Sequence, residues 1–156
     1  MKKMTIASLI MLILFPVHAL GAGYTAYANI TDDSILNIRE KNWIGSKIIG
    51  WVLNGGDVEV VGLTSDGWAK VHCHLDDGEY GYIKVDYLTT RPGEDGPYVN
   101  ATNGRVRIRK SCGGATKGWL KKGAKVVVIG FLKDGKGVEY AYTNRGWIAA
   151  ECLKKQ

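Results

Sequence analysis

Two short stretches, each met twice, decide the fold. Leu36-Asn37-Ile38-Arg39 returns as Val106-Arg107-Ile108-Arg109, and Gly81-Tyr82-Ile83 returns as Gly146-Trp147-Ile148. Between them, Gly50-Trp51-Val52-Leu53 returns as Gly118-Trp119-Leu120-Lys121. The valine-rich run Asp57-Val58-Glu59-Val60-Val61-Gly62 returns as Lys125-Val126-Val127-Val128-Ile129-Gly130. Upstream, Tyr27-Ala28-Asn29-Ile30-Thr31 matches Tyr98-Val99-Asn100-Ala101-Thr102, and Leu88 and Leu153 close the two copies. A fixed order of matching segments marks two copies of one structural unit.

Each unit reads as short strands. Val58, Val60 and Leu63, and Val126, Val128 and Phe131, lie in runs rich in β-branched residues, which favour the extended chain. Asp66-Gly67, Asp76-Asp77-Gly78 and Asn144-Arg145-Gly146 carry turn chemistry, with Gly free to take a positive φ. No stretch after the leader keeps a helical apolar period. The fold class is therefore all-β, with two small barrels of five or six strands in tandem, over residues 23–90 and 97–156. Residues 91–96, with Pro92, Gly93 and Gly96, form a short linker.

Residues 1–22 have the layout of a secretory signal peptide. Lys2 and Lys3 precede an apolar run from Ile6 to Phe15, Pro16 ends it, and Ala19, Gly21 and Ala22 offer small residues for cleavage. The run is about half of the roughly 20 residues that a membrane span needs. No cysteine near it offers a lipid-attachment point, and no later run is long enough to span. The expected location is the periplasm or the extracellular space. Loss of Lys2 and Lys3 lowers the net charge from +6 to about +4. The remaining cations look scattered along the chain, without the stripe of a nucleic-acid binder, so no nucleic-acid partner is expected.

The repeated residues resemble the bacterial SH3 (SH3b) family. The first copy carries Leu36-Asn37-Ile38-Arg39, Ile49-Gly50, Gly56-Asp57-Val58, Gly67-Trp68-Ala69-Lys70-Val71, Gly81-Tyr82-Ile83 and Tyr87-Leu88. The second carries Val106-Arg107-Ile108-Arg109, Lys122-Gly123, Gly146-Trp147-Ile148 and Cys152-Leu153. It lacks the internal Gly-Trp, with Gly135-Lys136 standing at that place. The resemblance implies two SH3-like barrels and a binding role, without catalysis or cofactor, toward cell-wall peptidoglycan or peptides. A second reading is a structural protein that binds another exported protein, as an inhibitor or accessory subunit.

The resemblance also implies a Cys112–Cys152 disulfide, because the long loop and the closing segment of such barrels are neighbours. Closing a loop of about 40 residues is worth roughly 4 kcal/mol in the chain-entropy picture. Cys73 is then the odd thiol. A stapled second groove leaves the first as the more open one. Its candidate ligand-binding residues are Trp43, Trp68, Tyr82 and Tyr87, with Tyr142 and Trp147 as the comparable residues of the second copy. Aromatic rings supply contact area at low entropic cost. Trp51 and Trp119 are assigned to packing, and Arg39 and Arg109 to fixing the long loops through backbone carbonyls.

His72-Cys73-His74 is the one cluster with metal or nucleophile potential. On a strand the two histidines share a face and Cys73 points away from them, so neither histidine activates the thiol. Two aligned ligands fall short of the three or four that zinc needs. Asp32-Asp33 and Asp76-Asp77 read as turn residues. No catalytic residue, metal or cofactor is expected.

Overall fold

The computed structural model describes residues 23–31, 34–72 and 79–156. The leader, Asp32, Asp33, Cys73, His74, Asp76 and Asp77 lie outside the described residues. In the first unit the strands are β1 (Tyr24–Ala28), β2 (Ile35–Arg39), β3 (Ile48–Leu53), β4 (Asp57–Leu63), β5 (Trp68–His72), β6 (Tyr80–Lys84) and β7 (Leu88–Thr89). A single 3-10 turn at Val85–Tyr87 precedes β7. The second unit has β8 (Gly96–Asn100), β9 (Val106–Arg109), β10 (Thr116–Leu120), β11 (Lys125–Lys133), β12 (Glu139–Thr143), β13 (Gly146–Ala149) and β14 (Leu153–Lys155), with the 3-10 turn at Ala150–Cys152.

Strand order is the same in both units. The first sheet runs β3-β2-β6-β5-β4-β1-β7 and the second β10-β9-β13-β12-β11-β8-β14. Each has seven strands where the sequence pattern predicts five or six. The added count comes from the short segments beyond each valine-rich strand, which close against β1 and β8. β8 already begins at Gly96, the last residue of the expected linker.

Alternation sets the cores. Val58 and Val60 of β4, and Val126 and Val128 of β11, point inward and are buried, as a period of two requires. Trp51 and Trp119 do not join them. They are 60% and 49% exposed, which corrects their assignment to packing. β3 and β10 are edge strands, and Val52 and Leu120 take the inward positions there. The neighbouring tryptophans are therefore turned outward.

The two barrels meet through one strand. β11 has nine residues where its counterpart β4 has seven, and beyond Ile129 it is buried on both faces. Phe131 packs in the second core, edge-on to Tyr98 at 5.8 Å. Leu132, on the opposite face, joins the apolar cluster of Ile83, Val85 and Leu88 in the first unit. First-unit residues hydrogen-bond the β11 backbone. Tyr24 Oη donates to Lys133 O at 3.0 Å and accepts from Lys133 N at 3.2 Å. Phe131 N donates to Thr89 Oγ1 at 3.2 Å, Thr90 N donates to Phe131 O at 2.8 Å, and Asn29 Nδ2 donates to Ile129 O at 3.0 Å. These bonds satisfy groups that a buried strand edge would otherwise leave unpaired.

Gly130 makes the approach possible. A Cβ there would lie 2.7 Å from the Leu88 carbonyl oxygen, whereas one on Gly62, its counterpart in the first unit, would meet nothing within 4 Å. Gly130→Ala is predicted to cost about 1–3 kcal/mol through overpacking. Gly62→Ala is predicted to be neutral or slightly stabilising, since Gly is a poor strand residue. Denaturant unfolding of the two variants checks the difference.

Candidate functional site

A groove of about 710 Å³ lies on the first unit. β2 provides its floor through Ile35, Asn37 and Arg39, which share one face of the strand. Ile44 comes from the β2–β3 loop, Trp68 from the start of β5, and Lys84 from the end of β6. Asp86 and Tyr87 come from the 3-10 turn, and Asn29 to Thr31 from the segment after β1. Ile129 of the second unit completes the wall, so both barrels contribute to the groove.

Local chemistry holds these parts in place. Arg39 Nη1 donates to Ser46 O at 2.8 Å, and the buried Ser46 accepts Lys41 N on its hydroxyl at 2.8 Å. Arg109 does the same in the second unit, donating to Gly114 O at 2.7 Å. Both arginines thus fix their long loops, as the sequence predicts, and Arg39 also faces the groove. Trp68 sits at the end of a turn closed by Gly67 at φ +85°, with Trp68 N donating to Thr64 Oγ1 at 3.0 Å and Thr64 N to Trp68 O at 2.8 Å. Asn42 Nδ2 donates to Asp66 Oδ2 at 3.0 Å and ties the long loop to that turn. The Thr64 hydroxyl, then the Asp66 backbone and Asn42, hold the Asp66 carboxyl below its ordinary pKa.

Of the six aromatic candidates, the groove brings together two. Trp68 is only 4% exposed and forms the base, with Lys84 Nζ 5.1 Å from its ring centroid. Tyr87 is 46% exposed and stands at the rim. Trp43 is exposed but lies outside the lining, with its ring folded over Gly45. Tyr82 is half-buried on β6, opposite Arg39 and Lys70, and also lies outside the lining. The sequence reading missed Ile35, Ile44, Lys84 and Asp86. Ile35 and Ile44 belong to no repeated motif, so their exposure carried no signal in the repeat.

The second unit uses the corresponding surface for packing. Strand register matches Tyr140 to Trp68, Tyr142 to Lys70, Trp147 to Tyr82 and Ala149 to Lys84. Tyr140 therefore takes the place of Trp68, not Lys136 as the motif spacing indicates. Trp147 is 4% exposed and lies with Tyr140 in the cluster that contains Ile83 and Leu88 of the first unit. Tyr142 packs against that cluster and against Trp147, at 5.0 Å between rings. Burial, with Asp86 nearby, raises the Tyr142 hydroxyl above its ordinary pKa. Tyr142 and Trp147 are thus residues of the contact between barrels, which corrects their placement in a second groove.

The disulfide implied by the resemblance is not formed. Cys112 and Cys152 are free thiols. The Cys112 sulfur is turned inward, donating to Leu132 O at 3.7 Å, and Cys112 packs against the first cluster. Cys152 packs against the core of the second unit. Burial and the nearby Asp134 push the Cys112 thiol up to about 12, and burial also raises Cys152. Thiols held protonated in this way are poor nucleophiles. His72 is engaged at the far end of β5 from Trp68: its Nδ1 lies 3.5 Å from Glu59 Oε2 and its ring 5.4 Å from that of Tyr80. Among the described residues no group of three His, Cys, Asp or Glu is placed to hold a metal. Peptide mass spectrometry under non-reducing conditions is predicted to recover Cys112 and Cys152 unlinked. A Cys112–Cys152 peptide as the main species would contradict the structure.

Two small, same-order antiparallel barrels with a groove between the long loop and the closing 3-10 turn define an SH3-like architecture. Residues 34–89 match the bacterial SH3 domain, and this part of the chain belongs to that family. No curated protein matches the chain. Among solved structures, the chain is similar to NlpC1 and NlpC2 of Trichomonas vaginalis, at 15% and 14% identity and a TM-score of 0.38 for each. The match covers 88% and 87% of this chain and 48% and 49% of theirs, so the chain spans about half the length of those proteins.

Proposed function

We propose that the chain is a non-catalytic, exported binding protein whose first-unit groove takes the peptide portion of a cell-wall polymer, and that the second unit is a further bacterial SH3 domain. The observation that carries this reading is the groove itself. It sets the exposed Tyr87 and Ile44 beside Trp68, with Arg39, Lys84 and Asp86 at the same lining. Apolar contact area flanked by charges of both signs suits a short peptide bearing amines and carboxylates. Membership of residues 34–89 in the bacterial SH3 family supports a wall ligand, and the leader pattern supports export. Among the described residues no helix is long and apolar enough to cross a membrane.

A second reading rests on one further feature. Ile35, Trp51 and Leu53 are exposed and lie side by side across β2 and β3, with Ile35↔Leu53 and Asn37↔Trp51 as register partners. This apolar strip adjoins the groove and would suit a protein partner better than a glycan. Sedimentation with purified peptidoglycan separates the two. Tyr87→Ala removes an exposed ring, so it is expected to leave the fold intact and to weaken wall binding by roughly tenfold. Unchanged wall binding by the folded variant would remove Tyr87 from the site. Absence of binding by the parent protein would favour the protein partner.

A further inference from the structure

The cations that look scattered along the chain are divided sharply between the two units. Residues 97–156 hold 13 Lys and Arg against 3 Asp and Glu, a net of +10. Residues 23–90 hold 5 against 10, a net of −5. With −1 from residues 91–96 and +2 from Lys2 and Lys3, the total is the observed +6. Strand register shows where much of the difference falls. Arg105 stands where the first unit has Ile35, Arg107 where it has Asn37, and Lys121 where it has Leu53. The same outward face is therefore apolar on β2–β3 and cationic on β9–β10. Trp51 and Trp119 occupy one equivalent position at the centre of both faces.

We infer that the β9–β10 face is a binding site for an anionic polysaccharide. Trp119 is half-exposed and carries two guanidiniums, Arg105 at 5.1 Å and Arg107 at 5.9 Å from its ring centroid. Contact with the indole orients both guanidiniums without neutralising them, which leaves their donors for carboxylate or phosphate oxygens. Lys117 and Lys121 add exposed charge along the same ribbon. Among the described residues, none of these four cations forms an ion pair. Two of the unit's three acids are engaged elsewhere: Glu139 with Arg91 and Thr90, and Asp134 with the Lys136 and Val138 amides. β10 is an edge strand, so nothing of the sheet lies beyond it.

Two observations favour a glycan over a nucleic acid. Single strands are gripped by several stacking platforms in succession, and Trp119 is the one exposed aromatic ring of this unit among the described residues. The leader pattern also directs the chain to where charged polysaccharides are met. The inference is independent of the first-unit groove, because none of these residues lines it.

The experiment titrates the exported chain with polygalacturonate, with neutral dextran and a single-stranded oligonucleotide as comparisons. Binding is expected for polygalacturonate and not for dextran. Its affinity is expected to fall roughly tenfold or more between about 50 and 200 mM salt. Arg105→Gln with Arg107→Gln is expected to weaken binding about tenfold or more while leaving peptidoglycan sedimentation unchanged. Lys117→Gln with Lys121→Gln gives an independent variant of the same face with the same expected direction. Failure to bind polygalacturonate at low salt would overturn the inference. So would undiminished binding by both folded double variants, or equal or tighter binding of the oligonucleotide. A low-salt dimer that the arginine double variant abolishes would assign the face to a second copy of the chain and overturn it as well.

Discussion

The tandem depends on the second half of β11. From Ile129 to Lys133 this strand serves two barrels at once, with Phe131 in one core and Leu132 against the other. A strand buried on both faces can hide its polar backbone only if partners come from both sides. Tyr24, Asn29, Thr89 and Thr90 supply them from the first unit. Two barrels of this size would each bury little surface alone. Sharing a strand lets the apolar cluster of the first unit extend through Leu132 to Tyr140 and Trp147. The same burial raises the Tyr24 hydroxyl well above its ordinary pKa of 10.0. A raised tyrosine pKa means that the folded state prefers the neutral phenol, so its contribution is full below pH 10 and is lost as pH rises above that value.

Docking explains why duplicated units have become unlike. The surface of the second unit that corresponds to Trp68, Tyr82 and Lys84 is occupied by Tyr140, Trp147 and Ala149, all in or against the shared cluster. That surface is spent on holding the barrels together. The first unit keeps its groove open and gains Ile129 as part of the wall. The outward β-ribbon diverges in chemistry instead, apolar around Trp51 and cationic around Trp119. One scaffold thus presents two surfaces of different character at fixed separation.

Much of the fold was legible because it rests on local rules. Repeated Gly-aromatic-Ile and apolar-x-Ile-Arg motifs, alternating valines and Gly-bearing turns mark most of the strands and the inward valines. The roles of Arg39 and Arg109 followed from the same repeat. What was not legible depends on contacts between the copies. Nothing local distinguishes Trp147, buried by docking, from Tyr82, which is left half-buried. Gly130 and Gly62 hold equivalent positions in the repeat, and only the approach of Leu88 makes one of them obligatory. The tryptophans at 51 and 119 were misassigned because recurrence marks a position as structural without saying which face it occupies. Likewise, the charge division appears only when the cations are counted by barrel.

The central claim is that the two barrels form one cooperative body through β11. Scanning calorimetry of the protein tests it most directly. A single transition, with calorimetric and van't Hoff enthalpies equal, is the predicted result. Two resolved transitions, one for each barrel, would contradict it.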